Sequence, residues 1–213
     1  MSSQSKTIGL FGSSIIAHYP LEMFKAHHIH PIIISTSPKN IASIIKSNSL
    51  EKAITLIQTQ QYKLDYILIL VGSNDIGKLS PTKIIQELIH IADTFSNINI
   101  TPIIVPMMNR EAPRYITTQE YRRDRNKINK KLKAHYKAQK LPRILKLRNL
   151  HLRDDGVHLT DSSYKVLSKA IAFHIKQINI KDHIFQFPPG HYRDLNNNEH
   201  YTIEHITENE TTQ

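Results

Sequence analysis

Short apolar runs alternate with longer amphipathic stretches along this chain, and that alternation restricts its fold more than any other feature. Residues 6–11, 31–35, 66–71, 101–106 and 143–147 read as strands. At three of these sites the apolar run is unbroken, as in Tyr-Ile-Leu-Ile-Leu-Val over 66–71, and unbroken runs belong to strands covered on both faces. Helical patterns lie between them. Residues 20–27 predict a short helix. Residues 41–58 predict a longer one, with a break near Asn48-Ser49. Residues 81–95 predict a third, with Ser80 as N-cap and Pro81 at the first position. Residues 117–137 and a segment capped by Thr160 and running to Ile178 complete the set. Their inward faces are Ile84, Ile85, Leu88 and Ile91; then Tyr121, Ile128, Leu132 and Tyr136; then Tyr164, Leu167, Ile171 and Ile175.

Strands joined by helical crossovers give a parallel sheet with helices on both faces. The expected fold is therefore α/β, a three-layer α/β/α sandwich around a five-stranded parallel sheet in the flavodoxin-like order 2-1-3-4-5. In such sheets ligands bind beyond the carboxyl ends of the strands, at the point where strand order reverses.

The chain has 213 residues, 39% hydrophobic and 22% charged, which is a globular balance large enough for one domain with a sizeable core. We expect that domain over residues 1–180, followed by a polar, acidic tail over 181–213, disordered or partner-binding. Cysteine is absent, which excludes disulfides, Cys-ligated metal sites and thiol catalysis. No apolar run approaches the roughly 18 residues of a membrane-spanning helix. Met-Ser-Ser-Gln-Ser-Lys at the N-terminus lacks a signal-peptide apolar region, so the expected location is intracellular.

The residues just past the strands carry the chemistry. Gly12-Ser13-Ser14 follows the first, Gly72-Ser73-Asn74-Asp75 the third, and Asp154-Asp155-Gly156-Val157-His158-Leu159 the fifth. A Ser, an Asn, an Asp and a His therefore converge on one rim. A serine hydroxyl becomes a nucleophile when an imidazole takes its proton, and a carboxylate on the other ring nitrogen fixes the tautomer. An amide donor facing the developing oxyanion strengthens transition-state binding. Asp155 and His158 sit three apart in a turn to which Gly156 gives freedom. With strands one and three adjacent, Ser14 and Asn74 stand side by side.

These motifs resemble those of the SGNH (GDSL-type) hydrolases: Gly-Asp-Ser after strand one, a Gly after strand two, Gly-x-Asn-Asp after strand three and Asp-x-x-His before the last helix. The resemblance spans roughly residues 6–178. It implies Ser14 as nucleophile, His158 as general base and acid, Asp155 as orienting carboxylate, and Asn74 with the backbone of Ser14 and Lys39 as oxyanion donors. Ser13, Gly72, Asp75 and His18 would line the pocket. Two positions depart from the pattern. Ser13 replaces the motif Asp, and the Gly after strand two is missing from Ser35-Thr36-Ser37-Pro38-Lys39-Asn40, where Lys39 takes or neighbours its place. A backbone N–H survives that change, although a positive φ there would suit Lys poorly. The compact loops and the Tyr121–Leu132 helix also resemble esterase-like domains of some retroelement and viral proteins.

The formal net charge of +10 is unevenly placed. Residues 122–148 hold twelve Lys and Arg, among them Arg122, Arg123, Lys130 and Lys131, against Asp124 alone. The stretch reads first as a solvated helix face and second as a nucleic-acid-binding surface. Residues 194–213 hold five acids and no Lys or Arg. His27, His28 and His30 lack a paired carboxylate and read as a surface turn, so no metal and no cofactor is expected. Two functions follow. One is a serine esterase that hydrolyses a short-chain O-acyl ester of a small molecule, glycan or lipid. The other is a protein of the same fold with weakened catalysis, acting in a nucleic-acid-associated or structural role.

Overall fold

The computed structural model describes residues 5–35, 41–46, 48–111, 113–138, 145, 147, 150–184, 191–193 and 200–202. Strands β1 (Lys6–Gly12), β2 (Ile29–Ser35), β3 (Tyr66–Leu70) and β4 (Thr101–Ile104) form one parallel sheet in the order β2-β1-β3-β4. Every residue of β3 is buried, as an unbroken apolar run in a doubly covered strand requires. β1 pairs with β2 on one side and β3 on the other, with Gly12 opposite Leu70. Gly12 is needed there, because a Cβ would stand 2.6 Å from the Leu70 carbonyl oxygen.

Helices α1 (Ser14–Ala17), α2 (Ile41–Lys46), α3 (Ser49–Thr59), α4 (Pro81–Ser96), α5 (Thr118–Ala138) and α6 (Asp161–Ile184) supply the crossovers and flanking layers. The predicted helix over 20–27 is a 3₁₀ segment, Leu21–His27, which His28 closes in the left-handed region at φ 55°. The predicted break in 41–58 is present: Asn48, at φ 49°, cannot continue a right-handed helix. Ser80 caps α4 by accepting the Lys83 N–H at 3.2 Å. One contiguous cluster of buried side chains joins Phe11, Ile67 and Ile69 of the sheet to Ile84, Leu88 and Phe95 of α4 and to Tyr121, Ile128 and Leu132 of α5. Phe11 of β1 meets Phe95 of α4 edge to face, 5.5 Å between centroids, a pairing worth about 0.5–1.5 kcal/mol beyond area burial.

The expected fifth strand is not formed among the described residues. Of 143–147 only Leu145 and Leu147 are described. Leu145 is buried, and its N–H donates to the Ile104 carbonyl of β4 at 3.0 Å. The chain divides into two compact units, 1–172 and 173–213. In the second, β5 (His191–Arg193) and β6 (His200–Thr202) pair antiparallel. Of the predicted tail over 181–213, residues 181–184 continue α6 instead, and those other than β5 and β6 beyond them lie outside the described residues. Among the described residues, no helix is long and apolar enough to cross a membrane.

Candidate active site

The first unit gathers four side chains at the carboxyl end of its sheet. Ser14 opens α1 immediately after β1, and the Ser13 N–H, donating to the Leu70 carbonyl at 3.0 Å, ties this turn to β3. Ser14 Oγ lies 3.0 Å from His158 Nε2, and His158 Nδ1 lies 2.6 Å from Asp155 Oδ2. A carboxylate only accepts, so Nδ1 carries the ring hydrogen. In the neutral ring Nε2 is then the acceptor, and the Ser14 hydroxyl donates to it.

The Asp155–His158 pair is built locally. Asp155 Oδ1 accepts the N–H groups of Val157 and His158, each at 2.8 Å, while Oδ2 faces the imidazole. These bonds hold the Asp155 carboxyl well below the usual carboxylate range; the His158 N–H contributes most, then the His158 ring, then the Val157 N–H. Gly156 takes φ 63°, a left-handed value that completes the turn, and its N–H donates to the Arg153 carbonyl at 2.8 Å. The Arg153 N–H in turn donates to the His158 carbonyl at 2.7 Å.

Asn74 follows β3, and its orientation is set from another loop. Arg110 Nη1 donates to Asn74 Oδ1 at 2.7 Å. A guanidinium has no acceptor, so this bond identifies the oxygen end of the amide and makes Nδ2 its donor end. Arg110 is 9% exposed and sits on the loop after β4. That loop is gripped from α5. Asn129 Oδ1 accepts the Met107 N–H at 2.8 Å, its Nδ2 donates to the Met107 carbonyl at 2.9 Å, and Tyr121 donates to the Met108 carbonyl at 3.2 Å. Sequence reasoning missed Arg110 and Asn129. The available signal for Arg110 was position: it is the first charged residue after the fourth strand, on the same rim.

A cavity of about 590 Å³ opens over Ser14, Asn74, Asp155, Val157 and His158, and Lys78, Arg110, Arg114 and Tyr115 also line it. A smaller recess beside it is lined by Ser13, Ser73, Met108 and Tyr121 among others. The arrangement can remove a proton from a serine hydroxyl and present an amide donor near it.

No protein-family model matches the chain, and no curated protein does. Solved structures match along most of its length. A GDSL-like lipase from Bacteroides thetaiotaomicron superposes with a TM-score of 0.58, covering 83% of this chain and 92% of its own at 16% identity. The psychrotrophic esterase EstA from Pseudoalteromonas sp., in a structure inhibited by monoethylphosphonate, superposes with a TM-score of 0.54, covering 82% and 98% at 17% identity. The chain has the SGNH hydrolase fold.

Within this SGNH fold the remaining predicted residues divide. Ser13 is 8% exposed and reaches the smaller recess. Gly72 turns the chain after β3, its carbonyl accepting the Asp75 N–H at 3.0 Å. Asp75 does not line either cavity. It is fully buried, and its Oδ2 accepts the Ile41 N–H at 2.8 Å, so it anchors the first turn of α2. His18 is exposed and packs edge to face on His158, 5.1 Å between ring centroids. Lys39 lies outside the described residues. Arg122, Arg123, Lys130 and Lys131 are exposed on α5, and none lines the large cavity. Their opposite face buries Tyr121, Ile128, Leu132 and Tyr136, as expected for a solvated amphipathic helix. Among the described residues, no three His, Asp or Glu cluster as metal ligands do.

Proposed function

We propose that this chain is a serine ester hydrolase acting on short-chain O-acyl esters through an acyl-Ser14 intermediate. The observation that carries it is the unbroken hydrogen-bond chain from Ser14 Oγ through the His158 ring to Asp155. His158 Nε2 takes the hydroxyl proton as Ser14 Oγ attacks the ester carbonyl carbon, and Asp155 stabilises the imidazolium. Asn74 Nδ2–H and the Ser14 backbone N–H donate to the resulting oxyanion. As the tetrahedral adduct collapses, the C–O bond to the alcohol breaks and His158 returns the proton to the leaving oxygen. Water, deprotonated by the same ring, then attacks the acyl-serine. The acid leaves and Ser14 regains its proton. Ser13 in place of an aspartate leaves this proton path intact, because the path runs through Ser14, His158 and Asp155, and the bond from the Ser13 N–H to the Leu70 carbonyl is a main-chain one that either residue makes.

The test is turnover of para-nitrophenyl acetate by the pure protein together with fluorophosphonate labelling. Ser14→Ala should abolish labelling and lower kcat at least about 10³-fold. Labelling and turnover unchanged by Ser14→Ala would refute the assignment.

A further inference from the structure

The cavity that holds Ser14 has a cationic lining. Lys78, Arg110 and Arg114 line it, and none of them has a carboxylate partner among the described residues. The one acidic lining residue, Asp155, has both oxygens engaged: Oδ1 by two backbone N–H groups and Oδ2 by His158. Arg110 is nine-tenths buried. Nη1 holds Asn74, and Nε is buried with no hydrogen-bond partner. A desolvated guanidinium lacking an anion is costly, and a ligand anion entering the cavity offsets that cost. At the mouth the Lys78 ammonium lies 4.4 Å from the ring centroid of Tyr115, a half-exposed aromatic. The mouth thus joins a flat apolar surface to two solvent-facing cations, Lys78 and Arg114.

We propose that the ester this site hydrolyses carries a negatively charged group, a carboxylate or a phosphate, which Lys78, Arg110 and Arg114 hold while the ester carbonyl rests at Ser14. The inference rests on the hydrolase reading and specifies its substrate class. Near-isosteric esters differing in one charge test it: para-acetoxybenzoate against para-acetoxybenzamide, and mono-para-nitrophenyl succinate against para-nitrophenyl butyrate. The first pair places the anion on the alcohol side and the second on the acyl side. In at least one pair kcat/KM should favour the anion by about tenfold at low salt, the size of a single partly screened ion pair. That preference should shrink several-fold by about 0.5 M salt and fall towards unity in Lys78→Ala/Arg114→Ala. Equal or lower kcat/KM for the anionic member of both pairs overturns the inference while leaving the hydrolase intact. So does a preference that persists undiminished in the double variant.

If none of the four esters is hydrolysed, the hydrolase reading falls. Calorimetric titration with benzoate and with phenyl phosphate then decides the charge question. Saturable binding that the double variant loses supports an anion site, and the tighter of the two identifies the anion. Binding of neither overturns it.

Discussion

Asn74 is the residue at which chemistry and stability separate most cleanly. Its amide faces two ways: Oδ1 accepts from the buried Arg110 at 2.7 Å, and Nδ2 is the donor end proposed for the oxyanion. Asn74→Ala removes both. Loss of one oxyanion donor should lower kcat by about 10²–10³-fold. Loss of a hydrogen bond to a buried charged group should cost about 1.5–3 kcal/mol of stability. For a domain of this size that lowers Tm by about 3–12 °C. Asn74→Asp, nearly the same shape, splits these effects. Its carboxylate pairs with Arg110 and restores the stability, but it presents no donor and repels the oxyanion, so kcat should fall below that of the alanine variant. Urea unfolding at neutral pH and para-nitrophenyl acetate kinetics read the two quantities independently. An aspartate variant as unstable as the alanine variant would refute the Arg110–Asn74 pairing. Wild-type kcat in either variant would refute the donor role.

Three further outcomes follow from named contacts. Gly12→Ala places a methyl against the Leu70 carbonyl, where 2.6 Å is available, and should destabilise by about 1–3 kcal/mol in urea unfolding through forced separation of β1 and β3. Asn129→Ala removes both bonds to Met107 and should cost about 1–3 kcal/mol, with kcat falling more than KM changes because the loop bearing Arg110 loosens. The Asp155 carboxyl is held low on folding, so the unfolded chain takes up the proton first. The stability that Asp155 contributes is complete above its unfolded pKa of about 4 and is lost as pH falls through the lower folded value. The stability gap between wild type and Asp155→Asn should therefore narrow from pH 6 to about pH 3 in chemical denaturation.

The parts of the site that can be read in the sequence are those whose geometry is local. Asp155, Gly156 and His158 form their turn from their own backbone bonds, and Ser14 and Asn74 follow strands that apolar runs mark plainly. Arg110 and Asn129 were opaque because each acts across the fold. Arg110 reaches 36 positions back to Asn74, and Asn129 reaches 22 back to Met107. Periodicity reports which face a residue occupies, not which distant backbone group it meets. Asp75 misled for a related reason: it adjoins Asn74 in the motif, yet the turn sends it inward to α2. The 3₁₀ segment over Leu21–His27 has a similar cause, since apolar spacing over two turns does not distinguish it from an α-helix.

The turn from Asp155 to His158 holds the imidazole by bonds that stay within four consecutive residues, whereas Ser14 stands 144 positions away. The hydrogen-bond chain thus closes over a long sequence separation at the 3.0 Å contact between Nε2 and Oγ, beside which His18 packs on the same imidazole. A perturbation that shifts the end of β1 relative to the entry of α6 leaves the Asp155–His158 turn in working order and spoils its alignment with Ser14.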